Sequence, residues 1–226
     1  MLTRLSLVAF IVSLVMLALA SPARSDAISD CNSSDPVRRI AGCSKLIATG
    51  FFDDRQLAFI YQNRAIAFFT MGASELALAD FTTAIQLSPK SDAAFLNRGN
   101  AYLRLRRLDE ARNDFDAALA RNPQLADALA NRGLVLLLEG RFAAALEDLD
   151  QAIALKPAFP TALNSRGVVF EKMGLFDRAI EDYQKALEID PDFPIARINL
   201  NRLTHRVNLE DMVSVPTQVA VGRSSR

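Results

Sequence analysis

The sequence predicts an all-α protein of four consecutive helix hairpins with a further helix capping each end. Proline recurs every 34 residues along the chain, at Pro89, Pro123, Pro157 and Pro191. Counting back from each proline, which takes position 32, defines repeats 58–91, 92–125, 126–159 and 160–193. Small and large apolar residues recur at fixed positions within these repeats, and a period of this length is typical of helical repeat arrays.

Each repeat contains two apolar stripes at helical spacing. Positions 4, 8 and 11 share one face of a first helix, and positions 20, 24 and 27 share one face of a second. Small residues at positions 8 and 20 let the two helices approach closely, and large ones at position 24 fill the space beside them. These residues are Ala65, Gly99, Gly133 and Gly167 at position 8, Ala77, Ala111, Ala145 and Ala179 at position 20, and Phe81, Phe115, Leu149 and Tyr183 at position 24.

Position 15 predicts the turn between the two helices. Glycine there can end the first helix in a left-handed conformation, and three repeats carry Gly72, Gly140 and Gly174. The second repeat has Arg106 instead, so its turn must close differently or with some strain. The proline at position 32 stops the second helix, because it removes a donor and clashes with the preceding turn.

These features closely resemble the tetratricopeptide repeat (TPR) family. The segment from Asp92 to Tyr102, followed by Leu108-Asp-Glu-Ala111 and Asn122-Pro123, is nearly the family consensus. The resemblance covers 58–193 and implies a right-handed α-solenoid of helix-turn-helix repeats. The departures are arginine in place of leucine at position 7, and the residues at position 4, where the family usually has tryptophan: Tyr61, Phe95, Leu129 and Leu163.

The segments on either side of the repeats are predicted to cap the array. Within 21–57, Asp35-Pro36 begins a helix that should run to about Thr49 and end at Gly50. That helix resembles the second helix of a degenerate repeat with Cys43 at position 20, and the residues before it are expected to be a linker. At the other end, 194–206 is predicted to form a capping helix, and 207–226, without a helical stripe, a disordered tail.

The first 20 residues have the pattern of a signal peptide. Arg4 precedes an apolar run from Leu5 to Ala20, which is shorter than the ~20 apolar residues of a membrane-spanning helix. An uncleaved anchor is the alternative, and cleavage is expected between Ala20 and Ala27. We therefore expect a periplasmic or secreted protein of bacterial origin that is not inserted in the membrane after cleavage.

The chain has two cysteines, Cys31 and Cys43, both shortly after this segment. An even number of cysteines in an exported chain indicates a disulfide, and free buried thiols are the alternative. Two cysteines and one distant histidine, His205, do not make a zinc signature.

Composition and motifs argue against several classes of function. The 26 basic and 26 acidic residues balance, whereas nucleic-acid binders usually have a basic excess. The sequence lacks phosphate-binding, dinucleotide-binding and zinc-protease motifs, and no catalytic triad can be assembled around one histidine with motif support. We predict no catalytic residue, cofactor or metal site, and an enzyme of unrecognised type is the least favoured alternative.

Two polar positions recur. Position 7 is always arginine and position 23 always aspartate, which predicts an ion pair inside each repeat or between neighbours. Position 6 is asparagine in three repeats, with related amides nearby. Resemblance to superhelical TPR proteins implies that these amides bind the backbone of an extended peptide in a concave groove, and bonding to neighbouring helix backbone is the alternative. The candidates are Asn63, Asn97, Asn100, Asn131, Asn164 and Asn199.

The sequence therefore predicts an exported scaffold that holds an extended peptide or a partner helix, in envelope assembly or chaperone-like handling. The mixed, largely apolar character of the other groove positions favours an apolar or mixed partner segment over an acidic one, with Glu171 expected to be exposed on the groove surface. A self-associating spacer is the alternative function. Its contact would be formed by four phenylalanines of the N-terminal region, Phe51, Phe52, Phe59 and Phe69.

Overall fold

The computed structural model describes residues 22–214, and the predicted signal peptide lies outside this range, as do 215–226 of the predicted tail. Within it the chain forms eleven α-helices and no strand. Contacts divide the chain into an N-terminal unit that ends at Ala128 and a C-terminal unit that begins at Leu129. The helices are α1 Pro22–Cys31, α2 Pro36–Thr49, α3 Asp54–Thr70, α4 Ser74–Leu87, α5 Asp92–Arg104, α6 Leu108–Arg121, α7 Ala126–Leu138, α8 Phe142–Leu155, α9 Pro160–Lys172, α10 Phe176–Ile189 and α11 Pro194–Ser214.

The predicted stripes form the core of each hairpin. The residues at positions 8, 20, 24 and 27 are buried in all four repeats, and those at position 24 are at most 1 % exposed. In the second repeat the ring at position 24 leaves no room for a side chain at position 8: a Cβ on Gly99 would lie 2.6 Å from Cε1 of Phe115. The same contact recurs between Gly167 and Tyr183, also at 2.6 Å. In these two repeats, close approach of the helices is therefore built from a glycine on one and a large ring on the other.

All four turns close through a left-handed residue at position 15. Gly72, Gly140 and Gly174 have φ of 83°, 75° and 77°, and Arg106 has φ of 60°. In the second repeat the backbone N–H of Arg107 donates to the carbonyl of Tyr102 at 3.0 Å, as Ala73 donates to Phe68 at 2.9 Å in the first. The Arg106 turn thus keeps the common geometry, with the strain that a side chain brings to this region.

The N-terminal segment differs from the prediction. Residues 22–31 form helix α1 and are not a linker, and α1 and α2 make an additional short hairpin. Helix α2 confirms the expected bounds: Asp35 accepts a hydrogen bond from the N–H of Val37, and Gly50 ends the helix with φ of 67°. The predicted Cys31–Cys43 disulfide is present, with 4.5 Å between the two Cα atoms. Beside it, a side chain at Gly42 would overlap the backbone of Cys31, so the two helices are in direct contact.

The register of α2 is one helical turn away from the prediction. Arg98 donates to Thr82, at position 25 of the preceding repeat, at 3.2 Å, and Arg64 donates in the same way to Ser44 at 3.0 Å. Ser44 thus takes position 25, and Cys43 takes position 24, not position 20. Cys43 is fully buried there, where the four repeats carry a large residue.

The C-terminal helix is longer than predicted. It continues to Ser214, eight residues past the expected end at Arg206, so the expected tail begins no earlier than residue 215. Its buried residues Ala196 and Leu203 pack on the fourth repeat, in clusters with Tyr183 and Ala186. The helix thereby covers the apolar side of α10 that the last repeat would otherwise expose.

Replacing Ala145 with leucine should lower the free energy of unfolding by about 1–3 kcal/mol, because added methylenes overpack a filled core. Ala145 is fully buried, and its carbonyl oxygen lies within 3.3 Å of where a Cβ on Gly133 would be. Ala143→Leu is the matched control, since Ala143 is exposed on the same helix. Urea unfolding should separate the two variants, and equal effects would contradict the assignment of Ala145 to the hairpin core.

Candidate functional site

The recurring arginine and aspartate form one ion pair inside each repeat. In the second repeat, Nε and Nη2 of Arg98 donate to the two carboxylate oxygens of Asp114, both at 2.8 Å. The Asp114 side chain is 6 % exposed and that of Arg98 17 %. The equivalent pairs have bonds of 2.7–2.8 Å: Arg64–Asp80, Arg132–Asp148 and Arg166–Asp182. The predicted pairing is confirmed, and it is an intra-repeat pairing.

Three of these guanidinium groups also reach the preceding helix. Arg166 donates to Asp150 at 2.7 Å, which repeats the contacts of Arg98 with Thr82 and of Arg64 with Ser44. Hydrogen bonding to Asp114 raises the pKa of Arg98 above its ordinary value, so the group stays charged. The side chains of Arg64, Arg98 and Arg166 therefore make structural contacts both within a repeat and with the helix before it.

The first helices of the N-terminal unit form a partly exposed surface. Asn63 on α3 donates to the side chain of Asn32, which follows α1, at 3.3 Å, and Arg104 on α5 donates to the carbonyl of Phe69 on α3 at 2.8 Å. These contacts join α1, α3 and α5 side by side. We call this surface the first-helix face; it carries the guanidinium of Arg104, which lies 5.1 Å from the ring centroid of Phe69. Its other side chains include amides and apolar groups, namely Ile28, Asn32, Phe59, Asn63, Ile66, Phe69, Asn97 and Asn100.

The predicted amides differ in their surroundings. The side-chain amide of Asn97 is partly exposed and makes no hydrogen bond within the described chain. Asn100 and Asn131 are each engaged by neighbouring groups. In the C-terminal unit Asn164 is only 9 % exposed, and it accepts a hydrogen bond from Asn199 at 3.0 Å. Asn164 and Asn199 therefore link α9 to α11 through a hydrogen bond between their side chains. The alternative considered from the sequence is a bond from the asparagine side chain to the backbone of a neighbouring helix.

Glu171 is not the exposed residue that the sequence predicts. Its side chain is 11 % exposed, and Arg202 on α11 donates to both of its oxygens at 2.6 and 2.7 Å. The hydroxyl of Tyr183 also donates to it, at 3.1 Å. Helix α11 supplies the partner, which sequence position alone could not reveal. Hydrogen bonding to Arg202 lowers the pKa of Glu171, and burial raises that of Tyr183.

The Glu171–Arg202 contact should give a pH-dependent stability. Because the folded pKa of Glu171 is lowered, its contribution is present above the unfolded pKa of ~4.3 and is lost as pH falls through the folded value. Glu171→Gln should therefore be less stable than the parent by about 1.5 kcal/mol at neutral pH, the lower limit for bonds to charged groups. Urea unfolding from pH 7 to pH 3 should show this gap closing below pH ~4.3. A gap independent of pH would contradict the ionic contact.

A cleft in the N-terminal unit is a feature that the sequence does not predict. An open cleft of about 560 Å³ lies between α1, the end of α2 and the start of α3. Its apolar lining includes Ile28, Leu46, Phe52, Phe59 and Ile60. From the sequence alone, Phe59 is a candidate self-association contact. The sequence does not predict the cleft beside Phe59, because the opposite wall is helix α1, in a segment expected to be a linker.

Residues 22–214 offer no metal site or membrane span. In that range no three His, Cys, Asp or Glu side chains lie together as a metal site would require. None of the helices there combines the length and the apolar character needed to cross a membrane.

Both the sequence and the arrangement of helices are similar to those of known tetratricopeptide repeat proteins. Tetratricopeptide repeat models match residues 63–126, 96–157 and 160–193, which make up more than half of the chain. A TPR protein from Parabacteroides merdae is 18 % identical with a TM-score of 0.70, and the match covers 84 % of this chain and 75 % of that one. No curated protein matches the chain significantly.

Two further structures have the same fold at similar identity. MamA from Desulfovibrio magneticus is 24 % identical with a TM-score of 0.60, covering 69 % of this chain and 88 % of that one. YrrB, described as a TPR protein with an unusual peptide-binding site, is 21 % identical with a TM-score of 0.61, covering 78 % and 89 %. At these identities the likeness shows the fold alone. The repeat matches, the period and the helix hairpins agree with a TPR solenoid, and the chain belongs to the tetratricopeptide repeat family.

Proposed function

We propose that this chain is an exported scaffold that binds an extended peptide or a partner helix along the first helices of its repeats, in envelope assembly or chaperone-like handling. TPR proteins are in general protein-binding scaffolds without catalytic activity. The observation that carries the finer proposal is the first-helix face, where amides and apolar groups lie side by side. The peptide-binding site of YrrB is a precedent for such use of this fold.

The amide chemistry suits a peptide backbone. Each asparagine side chain offers two donor hydrogens and an acceptor oxygen, as a peptide unit offers one donor and one acceptor. Asn97 is the strongest candidate, because its amide has no partner within the described residues. Asn164 is the weakest, since it is buried and already bonded to Asn199.

Photo-crosslinking in the native host tests this proposal directly. A crosslinking amino acid in place of Asn97 should form a discrete protein adduct that mass spectrometry can identify. The control places it at Ala79, which is exposed on the second helix α4. Adducts formed from position 79 and none from position 97 would contradict a binding surface on the first helices.

Replacing Asn97 with alanine should weaken binding of that crosslinked partner about 2- to 12-fold, the equivalent of one hydrogen bond of ~0.5–1.5 kcal/mol. The melting temperature of the Asn97→Ala variant should equal that of the parent protein. Asn164→Ala is the matched comparison: it should lower stability by about 1–2 kcal/mol, because it leaves the donor of Asn199 unpaired. Calorimetry and binding measured on both variants check this, and destabilisation by Asn97→Ala with unchanged affinity would contradict a binding role.

Export to the periplasm or beyond is part of the same proposal. It is supported by the apolar run from Leu5 to Ala20 and by the Cys31–Cys43 disulfide, since disulfides persist in oxidising compartments. Fractionation of the native host, with the N-terminus of the purified protein determined by mass spectrometry, tests it. Recovery from the cytoplasm with Met1 to Ala20 intact would contradict export.

A self-associating spacer is the second candidate function. Phe51 and Phe59 favour it, because their side chains are 68 % and 56 % exposed. Light scattering over a range of concentrations separates the two candidates: a concentration-independent monomer excludes the spacer.

A further inference from the structure

We infer that signal peptidase hydrolyses the Ala20–Ser21 bond, so that the exported chain begins at Ser21 and keeps the whole of helix α1. The inference rests on the proposed export and names its processing site. Two bonds in the sequence fit such a cut, because small residues stand one and three places before each of them. Ala18 and Ala20 precede the first bond, and Ser25 and Ala27 precede the second. The fold separates the two bonds, since the second lies within α1.

Side chains of α1 that precede the second bond make contacts with the rest of the N-terminal unit. Ala27 is 3 % exposed and is buried in one cluster with Cys31 and Leu46. The guanidinium carbon of Arg24 lies 4.9 Å from the ring centroid of Phe52, and that ring packs against the same cluster. The stretch before the second bond is therefore part of the folded protein.

A cut after Ala27 would leave too little of α1 to form a helix. Only Ile28 to Cys31 would remain, and the cost of helix nucleation makes a single turn unstable. The cut would also uncover Leu46 and Phe52, which pack against Ala27 in the present structure, and exposing apolar surface to water is unfavourable. The product of this cut would lose the first helix of its N-terminal hairpin.

A cut after Ala20 keeps the start of α1 intact. Pro22 is the first residue of the helix, where proline is favoured because the N–H that it lacks would have no partner within the helix. Ser21 comes directly before this proline, and serine is among the preferred residues at the position that precedes a helix. The first bond therefore lies just outside the sequence that α1 needs.

The chemistry and the sequence context also favour the first bond. The reaction is a hydrolysis in which the C–N bond breaks, and water leaves a carboxylate on Ala20 and an α-ammonium group on Ser21. The bond directly follows the apolar run that begins at Leu5, as processing sites of exported chains do. The charged residues Arg24 and Asp26 separate this run from the second bond.

Mass spectrometry of the intact, denatured protein from the native host tests the inference, because the mass identifies the first residue whether or not the chain folds. We expect an N-terminus at Ser21. An N-terminus at Ile28 would overturn the inference while export stands, and so would Met1 retained in the membrane fraction, which would indicate an uncleaved anchor. Met1 retained in the cytoplasm would overturn both the processing site and the proposed export.

Two matched substitutions identify the bond that is cut. Ala20→Leu places a large side chain directly before the first bond, where a small residue is required, so most of the pulse-labelled chain should remain unprocessed. Ala27→Leu makes the same change before the second bond and should be processed as the parent is. Normal processing of Ala20→Leu with loss of processing in Ala27→Leu would assign the cut to the second bond.

Deleting residues 21–27 from the precursor gives the alternative product directly, since the bond after Ala20 then precedes Ile28. In this shortened chain the backbone amides of α2 should lose protection from hydrogen exchange, while those of α5 and α6 keep it, because repeat proteins are held by nearest-neighbour contacts. Equal protection of α2 in the parent and the shortened chain would overturn the assignment of α1 to the mature fold.

Discussion

Replacing Arg98 with leucine is expected to lower the free energy of unfolding by about 3–5 kcal/mol, the usual loss when one partner of a buried ion pair is removed. Asp114 is the reason, because its carboxylate is 6 % exposed and both of its oxygens accept from Arg98. Without the guanidinium, a charge would remain in a site that water barely reaches. The variant also loses the packing of the guanidinium carbon on Phe95 and Tyr102, at 5.8 and 5.7 Å from the ring centroids.

A second substitution separates the pair from its packing. Arg98→Leu with Asp114→Leu removes both charges together, and replacement of a whole buried pair by apolar groups is often nearly neutral. We expect the double variant to recover most of the stability lost by Arg98→Leu, as measured by urea unfolding followed by circular dichroism.

An exposed pair in the same repeat provides the control. Arg107 and Glu110 are bonded at 2.7 Å, but both side chains are more than 40 % exposed. Glu110→Ala should leave the unfolding midpoint unchanged within error, since exposed ion pairs contribute little. If Arg98→Leu were equally harmless, the carboxylate of Asp114 would have to be hydrated in the folded protein.

Loss of the Cys31–Cys43 disulfide is expected to destabilise the N-terminal hairpin by about 3 kcal/mol, the chain-entropy value for a loop of this size. The bond joins the last residue of α1 to the middle of α2. Helix α1 has ten residues, and isolated helices shorter than ~12–15 residues are marginal in water. It should therefore detach or unfold when the bond is removed.

Hydrogen exchange should show that this effect is local. In Cys31→Ser with Cys43→Ser, the amides of α1 should lose protection while those of α5 and α6 keep it, because repeat proteins are held by nearest-neighbour contacts. Reductant added to this double variant is the control and should change nothing. Free thiols in protein purified from its native compartment without reductant would contradict a structural disulfide.

The repeat period by itself determined most of this molecule. Each 34-residue unit carries its own helix stripes, its turn residue and both partners of its ion pair, so local spacing is enough to specify the hairpin. The positions in the repeat predict that Ala111 and Phe115 are buried, and both are. They also predict the ion pair between Arg98 and Asp114, which the structure contains. The same holds at the turn, where Arg106 adopts the left-handed conformation that glycine has in the other repeats.

Tertiary structure alone decided the features that depend on contact between segments. Helix α1 buries Ala27 and Cys31 in a cluster with Leu46, and Gly42 and the disulfide bring α2 against it. Its presence creates the opposite wall of the cleft at Phe59. Glu171 has the position of a surface residue until α11 brings Arg202 onto it. In each case the partner comes from outside the periodic pattern, so the pattern could not predict it.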